Sequence, residues 1–286
     1  MPLAYVNGEL VTDETAVISV FDHGFVTGDG VFESLLVDHG VPFALDEHLA
    51  RLEQSALLIG LTPPPRAELD SAVRRVAQQS SSVRARLRLT VTAGRGPLTS
   101  GRLDVPPTVV VALSPLGDEP PEPCEVAVAP WPRNERSALA GAKTISYVEN
   151  VVALKWAQAR GADEALFLNL AGDVCEGTGS NIFVALDGRV ATPPLSAGCL
   201  AGVTRALLLQ ACDIEEVPVP GARLGEVAEA FLSSTTRGVQ PIAVLDGRAL
   251  GGVPGPLTEQ CRQAFEKLAA ERLAADGGRD VLQAGT

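Results

Sequence analysis

The lysines are the residues of this sequence whose type points most directly to chemistry. Of the 23 basic residues, only Lys143, Lys155 and Lys267 are lysines. A covalent catalyst that forms an imine requires a lysine amine, because arginine does not lose its proton at working pH. Lys267 lies among glutamates in an amphipathic pattern, which indicates a solvated charge. Lys155 follows Leu154 in a helical pattern, which indicates a partly buried stem.

Lys143 has a different setting, in the stretch GAKTISY. Its neighbours Gly141, Ala142, Thr144 and Ile145 are small or uncharged, and no carboxylate lies beside it. Such surroundings reduce the hydration of an amine and favour its neutral, nucleophilic form. Lys143 is therefore the candidate nucleophile. From these residues alone, a surface lysine at the end of a strand remains the alternative.

A lone acid and a helix start follow Lys143 in the chain. Glu176 stands in CEGTGSNIF, between an apolar strand pattern and a turn of small residues, where a carboxylate can face a pocket. Further on, CLAGVTRALLL places Gly202, Val203 and Thr204 at the start of a helix, where free amides favour a phosphate group. Taken alone, that helix start is an ordinary N-cap. An amine, an acid and a phosphate seat are together what pyridoxal 5'-phosphate requires.

The composition is that of a folded globular chain. Of its 286 residues, 46% are apolar, which is ample for buried cores. The formal net charge of -12 argues against nucleic acid or a membrane surface as partner, since both attract positive charge. No apolar run reaches the roughly 18 residues of a membrane span, and the N-terminus lacks the pattern of a signal peptide. We therefore expect a cytoplasmic protein that binds neither membranes nor nucleic acid.

The cysteine and histidine patterns argue against a metal centre. The cysteines are odd in number, scattered and without a CxxC pair, and the three histidines lie far from them in sequence. Zinc sites need such ligands at close and regular spacing. We expect no metal, and reduced thiols at Cys124, Cys175, Cys199, Cys212 and Cys261.

Periodicity along the chain predicts a mixture of strands and helices. Asn7-Gly8, Asp38-His39-Gly40 and Asp246-Gly247 have the composition of hairpin turns. Alternation predicts a strand in RARLRLTVTAGRG, and TAVISV is a further strand pattern near the N-terminus. Apolar spacing of three and four predicts a helix over DEHLARLEQSALLIGL, with Asp46 as its N-cap. The same spacing predicts helices over RAELDSAVRRVAQQ, YVENVVALKWAQARG, TRALLLQACD and LTEQCRQAFEKLAAERLAA.

One Pro-rich and charged segment divides the chain. The stretch SPLGDEPPEP, residues 114–123, has the composition of a linker. We predict a small N-terminal α+β domain over 1–115, a linker over 116–124 and a large C-terminal cofactor-binding domain over 125–275. The Gly-rich residues 276–286 are expected to form a flexible tail.

Eight motifs occur in one order along the chain, from about Val6 to Gly247. They are GDGVFES, HLARL, AGAKTISY, ADEALFLN, CEGTGSNIF, TPPL, LAGVTR and FLSSTTRGVQP. In this order they resemble the fold-type IV pyridoxal-phosphate enzymes, also called the class-IV aminotransferase family. The resemblance implies two α+β domains like those of D-amino acid aminotransferases, with the cofactor at the domain interface. It also implies a homodimer whose partner chain helps to close the substrate site.

The same resemblance implies a set of site residues. Lys143 corresponds to the Schiff-base lysine and later acid/base catalyst, Glu176 to the partner of the pyridine nitrogen, and Arg51 to the phosphate-binding arginine. Leu200 would brace the cofactor ring, and Tyr147 would reach its phenolic oxygen. The cofactor-binding positions implied in this way are Arg51, Lys143, Tyr147, Glu176, Leu200, Val203, Thr204 and Thr235.

The substrate pocket distinguishes the reactions of this family. Phe32 stands where D-amino acid aminotransferases typically have tyrosine, and branched-chain aminotransferases usually have more tyrosines than this chain. Arg88 and Arg95 are candidates to bind a dicarboxylic substrate; exposed arginines at a strand edge are an equally good interpretation. GDGVFES and RGVQP are similar to 4-amino-4-deoxychorismate lyases. The resemblance thus favours a lyase that converts aminodeoxychorismate to p-aminobenzoate and pyruvate, on the folate pathway.

Two other functions stay open at this point. The main alternative is a class-IV aminotransferase that acts on branched-chain or other amino acids with 2-oxoglutarate. A more remote one is a non-catalytic protein that binds pyridoxal phosphate. Such a binder would not require Glu176 in addition to Lys143.

Overall fold

The computed structural model describes residues 3–117 and 121–283, with side chains for 4–117 and 121–277. The chain divides into two compact units. The first consists of Met1–Glu119, Ala142–Ser146 and Ala269–Thr286, and the second of Pro120–Gly141 and Tyr147–Leu268.

This division differs at two places from the predicted domain over 125–275. Residues 142–146, which carry Lys143, pack with the first unit, and so does the chain from Ala269 onward. Of the predicted linker over 116–124, residues 118–120 lie outside the described residues.

The first unit is built on one antiparallel sheet with two longer helices. Its strands are β1 (Leu3–Val6), β2 (Glu9–Thr12), β3 (Gly30–Asp38), β4 (Val41–Pro42), β5 (Arg84–Thr92) and β6 (Thr108–Pro115). Its helices are α1 (His23–Thr27), α2 (Leu45–Leu58) and α3 (Arg66–Ala77). The strands lie in the order β2-β1-β6-β5-β3-β4. The predicted hairpins at Asn7-Gly8 and Asp38-His39-Gly40 are present.

The core of this unit lies between the sheet and its helices. On α2, Leu49, Leu52 and Ala56 recur at spacings of three and four and are buried, as an amphipathic helix requires. They belong to one hydrophobic cluster with Val31 and Leu35, which alternate along β3 and point to the same face. Strand β3 is hydrogen-bonded to β5 along its whole length. This pairing fixes the position of β3 in the sheet.

Two local predictions for this unit are wrong. The N-cap of α2 is Ala44, with a left-handed φ of 53°, and Asp46 lies inside the first turn. Residues 15–20 (TAVISV) form no strand. Their apolar side chains, among them Val17 and Val20, are exposed. A segment rich in β-branched residues forms a strand only where a neighbouring strand pairs with it. No strand pairs with residues 15–20 among the described residues, so their β-propensity was not enough.

The second unit contains a mixed nine-stranded sheet. Its strands are β7 (Cys124–Val128), β8 (Glu164–Leu168), β9 (Val174–Gly177), β10 (Asn181–Leu186), β11 (Arg189–Thr192), β12 (Ile214–Glu216), β13 (Glu229–Ser234), β14 (Gly238–Leu245) and β15 (Arg248–Ala249). The order is β12-β11-β10-β13-β14-β7-β8-β9, and β15 pairs with β14. The pairs β7/β8, β7/β14 and β11/β12 are parallel.

Three helices follow the predicted patterns in this half of the chain. They are α4 (Val148–Gln158), α5 (Val203–Ala211) and α6 (Pro256–Gln283). Short 3-10 turns cover Leu195–Ala197 and Gly221–Glu226. The predicted last helix ended at Ala275, before a flexible tail over 276–286. Instead α6 continues to Gln283, and residues 284–286 lie outside the described residues.

The described residues also bear on membrane spans, metal sites and cysteine chemistry. None of their helices combines the length and the apolar character that crossing a bilayer requires. No group of three or more histidine, cysteine or acidic side chains in residues 3–117 and 121–283 could hold a metal ion. All five cysteines are free thiols, and burial raises the pKa of Cys124 to about 12.

Candidate functional site

Residues 142–146 form a short antiparallel addition to the edge of β3. The Phe32 N–H donates to the Lys143 carbonyl at 3.0 Å, and the Ile145 N–H donates to the Gly30 carbonyl at 3.0 Å. A side chain at position 30 would not fit, because its Cβ would lie 2.7 Å from the Val91 carbonyl oxygen and 3.0 Å from Ile145 Cδ1. The sheet therefore fixes the backbone on which Lys143 stands.

A serine on α2 holds the other side of the same peptide. The Lys143 N–H donates to Ser55 Oγ at 3.0 Å, and Ser55 is buried. The backbone of Lys143 is thus hydrogen-bonded both to β3 and to α2. A side chain that performs chemistry gains from such a fixed starting point.

The ring of Phe32 brings two cations together. Lys143 Nζ lies 4.5 Å from the ring centroid, and the Arg88 guanidinium carbon lies 3.6 Å from it. Phe32 is buried, and Arg88 stands on the neighbouring strand, paired with Ser34, two residues along from Phe32. The amine and the guanidinium are therefore no further apart than the sum of these two distances. Both meet the ring in the geometry of a cation–π contact.

A buried ion cluster lies on the opposite side of β3. Glu33 accepts hydrogen bonds from Arg51 Nε at 2.8 Å, from an Arg51 terminal nitrogen at 2.6 Å and from His48 Nδ1 at 2.7 Å. Burial acts to raise the pKa of Glu33, but the Arg51 charge and the hydrogen bonds outweigh it and lower the pKa to about 2. Glu33 is thus a carboxylate at neutral pH.

His48 is the neutral member of this cluster. Burial lowers its pKa, and the nearby Arg51 and Lys143 charges lower it further, against the opposing effect of Glu33. Because Glu33 is an acceptor only, the Nδ1 of neutral His48 carries the proton and Nε2 is left as an acceptor. This Nε2 is buried and has no hydrogen-bond partner among the described residues.

Helix α2 sets the spacing of the polar residues in this unit. His48, Arg51 and Ser55 follow one another at intervals of three and four, so they lie on one face of the helix. That face joins the Glu33 cluster at one end and the Lys143 peptide at the other. One rigid element therefore positions both the predicted phosphate arginine and the predicted nucleophile.

In the second unit, Glu176 lies near the end of β9 and makes one hydrogen bond and one ion pair. Its Oε2 accepts the Leu200 N–H at 2.9 Å, and its Oε1 lies 3.7 Å from an Arg133 terminal nitrogen. The Arg133 guanidinium in turn packs over the Phe167 ring at 4.1 Å and donates to Asn150 at 2.8 Å.

The turn before α5 is fixed by Asn181. The Asn181 amide donates to the Leu200 carbonyl at 2.9 Å, while the Leu200 N–H is bound to Glu176. A Cβ at Gly202 would lie 2.0 Å from Asn181 Oδ1, so only glycine fits there. Gly202 is the N-cap of α5, and the first amides of a helix have no partner within it. The Glu176 carboxylate and the predicted phosphate seat, at Val203 and Thr204, are therefore linked through Leu200.

Tyr147 and the turn after Glu176 form a second network. The Thr178 carbonyl accepts two hydrogen bonds, one from the Tyr147 hydroxyl at 2.6 Å and one from the Asn150 amide at 2.8 Å. Thr178 donates through its N–H and its hydroxyl to buried Glu164. Burial raises the pKa of Tyr147. The tyrosine thus supports the turn; its contact with the cofactor's phenolic oxygen stays a prediction.

The two remaining predicted residues, Thr235 and Arg95, lie in a turn and in a loop. Thr235 is half-buried in the turn between β13 and β14. Arg95 is exposed in a loop, where its backbone forms an isolated bridge with Asp22.

The predicted residues thus fall into two sets. In the first unit, Lys143 and Arg88 meet the ring of Phe32 on one side of β3, and Arg51 on α2 is paired with Glu33 on the other side. Glu176, Leu200, Val203 and Thr204 gather at the turn before α5 of the second unit. Sequence reasoning missed the residues that hold these sets in place. They are Glu33, His48, Ser55, Arg133 and Asn181.

Each unit carries some of the groups that pyridoxal phosphate requires. The cofactor needs an amine for its aldehyde, a carboxylate for its ring nitrogen, and amides and cations for its phosphate. The first unit supplies the Lys143 amine and the Arg51 guanidinium, the latter with 11% of its side chain exposed. The second supplies Glu176 and the start of α5, and Val203 and Thr204 are buried there.

Comparisons with known proteins all point to aminotransferases. Residues 30–245 match the family model of amino-transferase class IV. The D-alanine aminotransferase of Bacillus licheniformis is 32% identical over 268 residues, which cover 91% of this chain and 94% of that protein. The branched-chain-amino-acid aminotransferase of Pseudomonas aeruginosa is 30% identical over 290 residues, covering 95% and 94%.

A solved structure is similar over nearly the whole of both chains. The branched-chain aminotransferase of Thermoproteus uzoniensis, crystallised with norvaline, superposes with a TM-score of 0.87 at 29% sequence identity. The match covers 94% of this chain and 95% of that one.

Proposed function

Since the chain belongs to the amino-transferase class IV family, we propose that it moves an amino group between a branched-chain or other amino acid and 2-oxoglutarate. Enzymes of this family use pyridoxal phosphate, so the chain is a pyridoxal-phosphate enzyme. The similar proteins with assigned names are aminotransferases for branched-chain amino acids and for D-alanine. These names favour transamination over the lyase reaction predicted from the sequence motifs.

One observation carries the proposal, namely the two cations on the Phe32 ring. Both substrates of a transamination are carboxylates, and the oxo acid 2-oxoglutarate has a second one. Arg88 offers a permanent positive charge close to Lys143 Nζ. A guanidinium binds a carboxylate through two parallel hydrogen bonds, which fixes orientation as well as affinity. We infer that Arg88 orients a substrate carboxylate beside the catalytic amine.

The cofactor is held by residues already described. Bound pyridoxal phosphate supplies an aldehyde that condenses with amines and a ring that accepts the electron pair from the substrate Cα. In this proposal, Lys143 holds the aldehyde carbon, Glu176 the ring nitrogen, and Arg51 the phosphate, together with the first amides of α5. Leu200, Tyr147 and Thr235 are further cofactor-side residues by resemblance.

Lys143 is also the proton carrier of the proposed reaction. In the proposed reaction, Lys143 Nζ would accept the proton that leaves Cα of the amino donor. In the second half of the reaction the same amine would deliver a proton to Cα of the new amino acid, which leaves the lysine as it began. The hydrogen bonds to Ser55 and Phe32 keep its backbone fixed during both transfers. A positioned amine of this kind contributes about 10²–10⁴-fold to the rate.

We also propose that the protein is a homodimer. The helix α4 exposes Val148, Val151 and Val152, and Val148 has 74% of its surface accessible. Trp131 and Leu139 of the same unit are exposed as well. A row of apolar side chains on one helix is typical of a surface that a partner covers. Light scattering on the purified protein tests this, with Val151→Glu and Val152→Glu expected to shift the mass toward the monomer.

The decisive experiment measures the reaction directly. The purified protein, loaded with pyridoxal phosphate, is incubated with L-leucine, L-valine, L-isoleucine or D-alanine and 2-oxoglutarate, and glutamate is quantified. We expect glutamate only when both an amino donor and the oxo acid are present. Turnover of none of these donors, with pyruvate released from aminodeoxychorismate alone, would contradict the proposal.

The aminodeoxychorismate lyase is the second candidate. Its substrate carries two carboxylates, so Arg88 beside Lys143 suits that molecule as well. The lyase needs no amino acceptor, which is the difference that the assay uses. Pyruvate formation without any added oxo acid therefore separates the two reactions.

A further inference from the structure

We propose that Glu33 is a positioning residue that fixes the Arg51 guanidinium for the phosphate group of the cofactor. The proposal rests on the assignment of Arg51 to that phosphate under the proposed function. Sequence motifs did not single out Glu33, and its carboxylate is buried on the opposite side of β3 from Phe32.

The geometry of the pair is that of a fork. Arg51 donates to Glu33 through Nε at 2.8 Å and through a terminal nitrogen at 2.6 Å, one bond to each carboxylate oxygen. Two parallel hydrogen bonds fix the plane and direction of a guanidinium, which one bond does not. His48 adds a third bond to Glu33 at 2.7 Å and so fixes the carboxylate itself.

The three side chains of the cluster differ in exposure, and Arg51 is the most exposed of them. The side chains of Glu33 and His48 are 0% exposed, whereas that of Arg51 is 11% exposed. The acid and the imidazole are thus enclosed by protein, and Arg51 is the member of the three whose side chain keeps some accessible surface. A phosphate could therefore approach Arg51 but not the groups that hold it.

Stability alone does not account for this cluster. A buried ion pair loses its hydration, and replacing such a pair by apolar side chains of similar size is often neutral or stabilising. Glu33 also places a negative charge beside the arginine, which by itself would weaken the attraction for a phosphate. Its presence is explained if the fixed direction of the guanidinium outweighs that charge.

His48 contributes through its tautomer. It is neutral, and its protonated Nδ1 faces Glu33. It therefore supports the carboxylate without adding another charge to a cluster that contains Glu33, Arg51 and the nearby Lys143. The ligand of Arg51 then meets one guanidinium in one orientation.

The test compares two ligands that differ only in the phosphate. Protein freed of cofactor is titrated with pyridoxal phosphate and with pyridoxal, and each dissociation constant is measured from the visible absorbance. For Glu33→Gln we expect the constant for pyridoxal phosphate to rise about tenfold or more, as for partners that orient ligating groups. The constant for pyridoxal should change less than about twofold.

Arg51 provides the second half of the test. In an Arg51→Met background, Glu33→Gln should add no further loss of pyridoxal phosphate affinity, because the acid acts through the arginine. The matched control is Asp29→Asn, which breaks another two-bond carboxylate–arginine pair of the same unit, with Arg102. We expect this control to leave both dissociation constants unchanged.

Three results would overturn the proposal. They are an equal loss for both ligands, unchanged or tighter binding of pyridoxal phosphate, and a full additional loss in the Arg51→Met background. If circular dichroism shows that Glu33→Gln is unfolded, Glu33→Asp replaces it, since it keeps the charge but withdraws the carboxylate. The measurement needs no turnover, so a failure of the proposed reaction would not affect it.

Discussion

Lys143 and Ser55, 88 residues apart in the chain, are joined by a hydrogen bond of 3.0 Å from the lysine N–H to the serine hydroxyl. The carbonyl of the same lysine accepts from the Phe32 N–H. Both hydrogen-bonding groups of the Lys143 backbone are therefore bound, one to a helix and one to a strand. The lysine side chain starts from a fixed Cα.

Ser55→Ala should reduce kcat about tenfold, because the amine starts from a less fixed backbone. The affinity for pyridoxal phosphate should change less than about twofold, since the Arg51 cluster stays intact. Steady-state kinetics and cofactor titration measure the two effects. Thr192→Val is the matched control, because it also removes a buried hydroxyl bonded to the backbone, at 2.8 Å from the Ile182 carbonyl. An equal fall of kcat in both variants would show a merely general effect on stability.

Lys143→Ala should abolish the yellow colour of the cofactor-loaded protein and its fixation by borohydride. Activity should fall at least about a thousandfold, because the variant loses both the covalent attachment and the proton carrier. Absorbance spectra and intact mass after reduction test this. Lys155→Ala, in the middle of α4, should retain colour and mass shift. A reducible adduct in Lys143→Ala would place the attachment elsewhere.

Arg88→Leu should raise KM for 2-oxoglutarate by about 10- to 100-fold, the range expected for a lost hydrogen bond to a charged group. Cofactor affinity should stay unchanged, because Arg88 packs on Phe32, on the opposite side of β3 from Glu33. Arg84→Leu on the same strand is the control, as its guanidinium bonds the Gly117 carbonyl. If KM values of both variants were equal, the Arg88 assignment would be wrong.

The stability of the protein should decline below pH 6.5 because of His48. Burial lowers the folded-state pKa of His48 from its ordinary value of 6.5. Just below pH 6.5, His48 is therefore protonated in the unfolded chain but stays neutral in the folded chain. The contribution is thus complete above pH 6.5 and is lost as pH falls, by up to about 1.4 kcal/mol per pH unit. Urea unfolding at pH 7.5 and 5.5 measures it.

The same slope should flatten in His48→Gln. A glutamine cannot take up the proton, so the pH-dependent difference between the two states disappears. His39→Gln, at an exposed turn, should keep the slope of the wild type. An identical decline in wild type and His48→Gln would assign the effect to other groups.

Residue type and local spacing predicted much of this architecture. The apolar positions of α2, α3 and α5 follow intervals of three and four, and the hairpins form at Asn7-Gly8 and Asp38-His39-Gly40. The scarcity of lysine left three candidates for imine chemistry, and the small, uncharged neighbours of Lys143 distinguished it from the other two. Those features depend on neighbouring residues in the sequence.

Features that depend on distant contacts were not predictable in this way. Glu33 was not singled out in the sequence, because its partners His48 and Arg51 lie 15 and 18 residues away. The three-and-four spacing of His48, Arg51 and Ser55 was a signal in the sequence, but it gained meaning only with Glu33 and Lys143 beside that face. The residues TAVISV had strand propensity without a strand to pair with.

The membership of residues 142–146 in the first unit has a practical consequence. A chain cut in the predicted linker would give one fragment with Phe32, Ser55 and Arg88 and another with the lysine that stands among them. Neither fragment alone would contain the complete surroundings of the amine. Formation of the yellow adduct would then require complementation between the two pieces, which makes Lys143 a built-in reporter for a split version of this protein.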